Sequence, residues 1–180
     1  MICLFLAEGF EEIEAIATAD ILRRANLDVK TVSVTDKKEV TGAHDITVTA
    51  DLTKEEITLS DVETVILPGG MPGTLNLNDS ETVQNTIKFA FENNKLMCAI
   101  CAAPLVFGRA GYLKAKKATC YPGFENELVG AEVVADPVVK DGNVITSRGA
   151  GTAHLFAFEI LKALGREEEA KTLCKGMIYE

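Results

Sequence analysis

The run Lys95-Leu-Met-Cys-Ala-Ile-Cys-Ala-Ala-Pro-Leu carries the sharpest chemical signal in this sequence. An apolar strand runs directly into Cys101, two alanines follow, and Pro104 comes next. Proline suits the first turn of a helix, where its missing N–H would be unpaired anyway. Small residues after the cysteine allow a tight strand-to-helix turn, the geometry of a nucleophile elbow with cysteine in place of serine. Such a turn sets the sulfur at a helix N-terminus, where free N–H groups and the dipole favour the thiolate. A thiol pKa ~3 below its free value corresponds to ~4 kcal/mol of preference for the anion. Cys101 is therefore expected to be the one acidic thiol. The same run fits a small buried cysteine closing a strand equally well.

Cys98 and Cys101 make a C-x-x-C, but a redox pair is not expected. Residues three apart in a strand point to opposite faces and lie roughly 10 Å apart, whereas a disulfide needs Cα atoms within about 7 Å. The remaining cysteines, Cys3, Cys120 and Cys174, offer no second C-x-x-C, and His44 and His154 are far apart in sequence. No metal site is expected.

A second signal is Ala7-Glu-Gly-Phe-Glu-Glu-Ile-Glu-Ala, directly after the first apolar run. Acids here favour a helix N-terminus, which accounts for Glu11 and Glu12. Glu14 differs. Its helical neighbours Ala17, Thr18 and Ile21 make a small, mostly apolar face with no basic partner. A half-buried carboxyl with a raised pKa is expected there, fit to donate or accept a proton. A third segment, Leu67-Pro-Gly-Gly-Met-Pro-Gly, could bring backbone N–H groups close to a ligand, or be a plain turn. A fourth, Thr146-Ser-Arg-Gly-Ala-Gly-Thr, lacks the spacings of nucleotide-binding loops, so no nucleotide site is expected.

These segments need a scaffold, and the hydrophobic pattern supplies one. Residues 2–7, 29–34, 64–70, 96–100, 131–135 and 143–147 read as strands, and 45–49 as half of a hairpin. Residues 11–25, 80–93, 103–110, 152–164 and 167–175 read as helices, with Ser80 as an N-cap. In the first helix, Ile13, Ile16, Ala17, Ile21 and Leu22 form the expected apolar stripe. The βα alternation predicts a mostly parallel sheet with helices on both faces, an α/β sandwich whose site lies beyond the strands' carboxyl ends.

Composition narrows the function. The chain has 180 residues, enough for a single domain over 1–180 with its own core. Its net charge of −9 repels phosphate backbones, so no nucleic-acid partner is expected. An odd count of 5 cysteines does not make a secreted disulfide scaffold. The apolar start lacks the basic flank of a signal peptide, and no run reaches the ~20 residues of a membrane span. A cytoplasmic protein without a membrane partner is expected.

Taken in order, E-G-F-E-E-I-E, L-P-G-G, A-I-C-A-A-P and T-S-R-G-A-G-T resemble the ThiJ/PfpI superfamily, most nearly its parkinsonism-associated deglycase branch. The resemblance covers nearly the whole chain. It implies a flavodoxin-like sandwich, a homodimer, and no cofactor. Cys101 matches the family's reactive, easily oxidised cysteine, and Glu14 the glutamate that hydrogen-bonds it. The backbone N–H groups of Gly70 and Ala102 match the oxyanion hole, and Arg24 and Arg148 match basic residues near the site entrance and dimer contact. Three departures stand out. Tyr121 occupies the position of a histidine near the cysteine, Ala102 that of the histidine in protease-like members, and Ala150 that of a proline. With Tyr121 a Cys–His dyad is absent as written, and Ala102 argues against a peptidase. The resemblance implies a cysteine-dependent glyoxalase or deglycase acting on methylglyoxal or its early adducts. Its alternative is a redox-sensing or stress-protective dimer in which oxidation of Cys101 is the function.

Overall fold

The computed structural model describes residues 1–179. Its centre is a seven-stranded sheet. The strands, in chain order, are β1 (Ile2–Leu6), β2 (Val29–Ser33), β3 (Glu39–Thr41), β4 (Thr47–Thr49), β5 (Leu52–Thr53), β6 (Thr64–Leu67), β7 (Leu96–Ile100), β8 (Lys117–Ala118), β9 (Glu132–Val133), β10 (Val138–Asp141) and β11 (Val144–Ser147). The sheet order is β10-β11-β7-β6-β1-β2-β5, parallel except for the β10 edge, while β3–β4 and β8–β9 pair separately. The helices are α1 (Glu12–Arg24), α2 (Gly73–Asp79), α3 (Glu81–Glu92), α4 (Pro104–Arg109), α5 (Ala153–Ala163) and α6 (Glu167–Gly176). This is the flavodoxin-like α/β sandwich that the hydrophobic pattern and the resemblance imply.

The strands are apolar on both faces because each face is covered. Leu4 and Leu6 of β1, Ile66 of β6, and Cys98 and Ile100 of β7 pack with Ile21, Leu22, Phe156 and Leu161 of α1 and α5. Their alternate neighbours Phe5, Val65, Met97 and Ala99 pack with Leu77, Val83, Ile87 and Phe107 of α2, α3 and α4. Ser80 caps α3, its Oγ accepting the Val83 N–H at 3.4 Å.

Some expectations are corrected here. Ile13 is 54% exposed and Ile16 43%, so they are not part of the buried stripe of α1. The helix buries Ala15, Thr18, Ala19, Ile21 and Leu22. Residues 15 and 19 are small enough to let α1 approach the sheet and α5, and the isoleucines fall on the opposite side. The hydrophobic pattern also missed α2, β10, β5 and β8, while the strand expected over 131–135 shrinks to the two residues of β9. The α2 sequence, Gly-Thr-Leu-Asn-Leu-Asn-Asp, is short and rich in poor helix formers. Among the described residues, no helix is long and apolar enough to cross a membrane.

Phe156 is fully buried in the layer between α5 and the sheet. Phe156→Ala is expected to cost about 3–5 kcal/mol of stability with an unchanged denaturant slope. Urea unfolding monitored by circular dichroism measures it, and a loss under about 1 kcal/mol would contradict this packing.

Candidate active site

β6, β7 and β11 end side by side, and the turn after β7 carries Cys101. Its φ of +64° is left-handed, which for a residue with a Cβ costs on the order of 1–3 kcal/mol unless the surroundings hold it. Here both peptide groups are held. The Cys101 N–H donates to the Ser147 carbonyl at 2.9 Å, and the Cys101 carbonyl accepts the Tyr121 N–H at 2.8 Å. The Ala103 N–H closes the turn on the Ile100 carbonyl at 3.0 Å. Pro104 occupies the first helical position, as its chemistry predicts. The helix that follows has only 6 residues, so the individual N–H groups beside the sulfur matter more than any macrodipole.

Glu14 reaches this turn from the first turn of α1. Glu11 is the N-cap, its Oε2 accepting the Glu14 N–H at 2.7 Å. Glu14 is 1% exposed, more deeply buried than expected. Its Oε2 accepts the Gly69 N–H at 2.7 Å, while Oε1 has no hydrogen-bond partner among the described residues. Gly69 makes the approach possible. A Cβ there would lie 2.6 Å from the Cys101 Cβ, 2.9 Å from Glu14 Oε2 and 3.1 Å from the sulfur. Gly70, with φ of +90°, turns its own N–H toward the sulfur.

The electrostatics correct one expectation. Burial, and after it the neighbouring Glu14 carboxylate, push the Cys101 thiol up to about 12. The N–H groups of Ala102 and Gly70 act the other way and do not win. Burial likewise lifts Glu14 to about 7, against the Gly69 N–H. Cys101 is thus not an isolated acidic thiol. Of these two apolar-facing acids Glu14 is the first to ionise, and once the pair carries one charge the remaining proton sits on sulfur or on oxygen. The form with the proton on Glu14 removes the repelling charge and leaves a thiolate facing two N–H groups. That arrangement suits attack on an electrophilic carbon whose oxygen then gains charge.

The other residues fall as follows. Tyr121 is 50% exposed at the mouth, with its ring edge 3.2 Å from where a Gly149 Cβ would stand, a point 4.0 Å from Glu14 Oε1. Arg148 turns aside: its Nη1 donates to the Ala135 carbonyl at 3.3 Å, and its charge acts on Cys120. Arg24 is not brought to the site within one chain. It pairs with Asp20 at 2.7 Å, ten residues along α1 from Glu14, or about 15 Å at 1.5 Å per residue. Cys98 and Cys120 are buried in opposite core layers, and neither forms a disulfide with Cys101.

One cluster escaped the sequence reading. The carboxylates of Glu11 and Glu12 and the His44 ring place ligand atoms within 4.8 Å of one another. Glu12 is buried, and its Oε1 and Oε2 meet the backbone N–H and Nδ1 of His44 at 2.7 Å each. Burial works against its charge, but the His44 bonds hold its carboxyl below the usual range. The carboxylate that looked like a simple helix-end charge therefore ties α1 to the β3–β4 hairpin. No period or spacing joins positions 12 and 44; only the fold does.

Glu14 sets a pH dependence of stability. Its value is higher folded than unfolded, so between pH 4.5 and about 7 the native state holds more protons, and stability falls as pH rises through that window. At about 1.4 kcal/mol per pH unit, the full effect is roughly 3 kcal/mol. Glu14→Gln removes it. The variant's stability relative to the parent is expected to grow across this range in urea titrations; a difference that stays flat with pH would sink the assignment.

Comparison with known proteins identifies the family and the fold. The sequence profile of the DJ-1/PfpI family matches residues 1–163. The chain is 35% identical to protein dj-1beta of Drosophila melanogaster over 97% of its own length and 95% of the relative's. It is 32% identical to the glutathione-independent glyoxalase DJ-1 of Schizosaccharomyces pombe, covering 98% of this chain and 97% of that one. The crystal structure of a DJ-1 superfamily protein from Salmonella typhimurium superposes with a TM-score of 0.94 at 34% identity, over 99% and 98% of the two chains. By sequence and by structure, the chain belongs to the DJ-1/PfpI family.

Proposed function

We propose that residues 1–180 act as one domain and form a cofactor-independent glyoxalase or deglycase. The observation that carries this reading is the pairing of a left-handed Cys101 with a buried Glu14 whose carboxyl is lifted to about 7. A relative 32% identical bears the name of a glyoxalase, which is consistent with it.

The chemistry follows from the pair. The Cys101 thiolate adds to the aldehyde carbon of methylglyoxal, forming a C–S bond, and the N–H groups of Gly70 and Ala102 hold the new oxyanion. Glu14, protonated when the thiolate forms, first gives its proton to that oxyanion; as the carboxylate, through its otherwise unpartnered Oε1, it then takes the proton from the same carbon and returns it to the adjacent one. The resulting thioester is hydrolysed, water supplying the oxygen, to give lactate and the free thiol. An adduct on an amine or thiol first reverts, its C–N or C–S bond breaking as the aldehyde carbonyl re-forms and the hydroxyl proton passes to the departing group, and the same sequence then applies to the aldehyde. Tyr121 and Arg148 serve at the periphery.

A redox role is the second reading. Cys101 is half-buried, whereas Cys3, Cys98 and Cys120 are buried, so a small oxidant reaches Cys101 before these three. A protonated Glu14 would donate to a sulfinate oxygen there. Lactate production from methylglyoxal separates the two readings. Turnover by wild type at catalytic concentration, lost in Cys101→Ser and strongly slowed in Glu14→Leu, is the expected outcome. Addition of two oxygens to the Cys101 peptide by peroxide, with no lactate formed, would favour the sensor instead.

The exposed Ile13 and Ile16 lie one turn apart on α1, a surface suited to self-association. We infer a homodimer through this face, with Arg24 reaching the contact, and a cytoplasmic location, consistent with the free thiols of Cys3, Cys98, Cys101 and Cys120. Light scattering at micromolar concentration is expected to give twice the chain mass, and the mass of one chain for Ile16→Glu. A wild-type monomer would rule the dimer out.

A further inference from the structure

Cys101 owes its place to the carbonyl of Ser147, and Ser147 is itself fixed by an unusual chain of hydroxyls. The Ser147 and Thr152 hydroxyl oxygens are 2.7 Å apart. Ser147 Oγ lies 2.8 Å from the Pro137 carbonyl, and the Gly149 N–H donates to Thr152 Oγ1 at 3.1 Å. Each hydroxyl has one proton to give. The Thr152 hydroxyl is also 2.8 Å from the Gly149 carbonyl, which accepts the Thr152 N–H at 2.8 Å and has a second lone pair. Serving Pro137 and Gly149 at once would leave two hydroxyl oxygens facing each other with no proton between them. Two arrangements put a proton there: Thr152 O–H to Ser147 Oγ with Ser147 O–H to the Pro137 carbonyl, or Ser147 O–H to Thr152 Oγ1 with Thr152 O–H to the Gly149 carbonyl. In both, the two hydroxyls are bonded to each other.

We propose that Ser147 and Thr152 are positioning residues that set the reactivity of Cys101 through this bonded pair of hydroxyls. The inference rests on Cys101 being the reacting thiol, not on which electrophile it meets. Ser147 is fully buried at the end of β11, next to β7, and its carbonyl holds the N–H of a residue in left-handed conformation. Such a conformation persists only where the surroundings over-determine it. Gly149, held by the same pair, faces the ring of Tyr121 and Glu14 Oε1. One pair of hydroxyls thus fixes the carbonyl under the nucleophile and the loop across from its proton partner. If the pair is broken, the Ser147 carbonyl shifts, the sulfur leaves the Ala102 and Gly70 N–H groups, and the thiolate loses what favours it.

The test is the pH profile of Cys101 alkylation by iodoacetamide, followed by peptide mass, in wild type, Ser147→Ala, Thr152→Val and Thr152→Ser. This needs no aldehyde turnover, so it stands even if the glyoxalase reading fails. On the rising limb of the profile, between pH 7 and 9, the rate is expected to fall in Ser147→Ala and Thr152→Val, by about tenfold for each unit by which the thiol is raised. Thr152→Ser, which keeps the hydroxyl, is expected to retain the wild-type profile. Thermal melting of each variant separates this from general loosening. Wild-type profiles in both broken variants, or lowered melting temperatures with an unchanged alkylation rate, would overturn the proposal.

Discussion

A carboxyl and a thiol buried against each other, with no cation between them, form the constraint around which the site is built. Neither Glu14 nor Cys101 has a lysine or arginine partner, and each is pushed toward its neutral form by burial. Two negative charges there would be strongly disfavoured, and no charge would be inert. The surroundings are arranged for one. Gly69 has no side chain that would separate the pair, and its N–H stabilises one carboxylate oxygen. Gly70 and Ala102 turn N–H groups toward the sulfur. Which atom carries the single proton is then a local choice, and a bound electrophile can bias it.

The topology explains why these groups meet. β1 is the first strand in sequence but lies inside the sheet, with β2 on one side and β6 on the other. Chains leaving β1 and β6 diverge to opposite faces there, the place where open α/β sheets leave a crevice. Glu14 comes from the connection after β1, Gly69 and Gly70 from that after β6, Cys101 from that after β7, and Ser147 from the end of β11. The loops are stitched together by backbone bonds from the Glu11 N–H to the Gly69 carbonyl and from the Gly9 N–H to the Thr41 carbonyl. The β3–β4 hairpin, bonded again through His44 and Glu12, braces the start of α1 from outside. Glu14 is therefore held by a helix fixed at its capped end.

What could be read from the sequence was whatever depends on neighbours along the chain. The elbow at Cys101 follows from a strand, two alanines and a proline, and Glu14 stands out because its helical neighbours are apolar. The acidity expected for Cys101 did not survive, because it was inferred from a helix N-terminus alone. Desolvation and the Glu14 charge, both products of the Gly69 approach, reverse its sign. The α1 stripe was misassigned for a related reason. Ile13 and Ile16 have helical spacing, but which of two faces meets the sheet is decided by how closely Ala15 and Ala19 let the helix sit. Arg24 was placed by resemblance, and one chain holds it at the far end of α1.

Tyr121 gives the arrangement its chemical character. With tyrosine where a histidine is common in the resemblance, proton transfer must come from elsewhere. The two histidines are committed elsewhere: His44 to Glu12, and His154 to a stack on Tyr179 with ring centroids 5.3 Å apart. Tyr121 contributes its backbone N–H to the Cys101 carbonyl and a half-exposed ring at the mouth. On the proposed reading, acid and base duties both fall to Glu14. A value lifted to about 7 lets one carboxyl do both near neutrality, since it neither holds its proton too tightly nor gives it up before the substrate arrives. The burial that makes this carboxyl costly to ionise is thus the same property that makes a single residue sufficient.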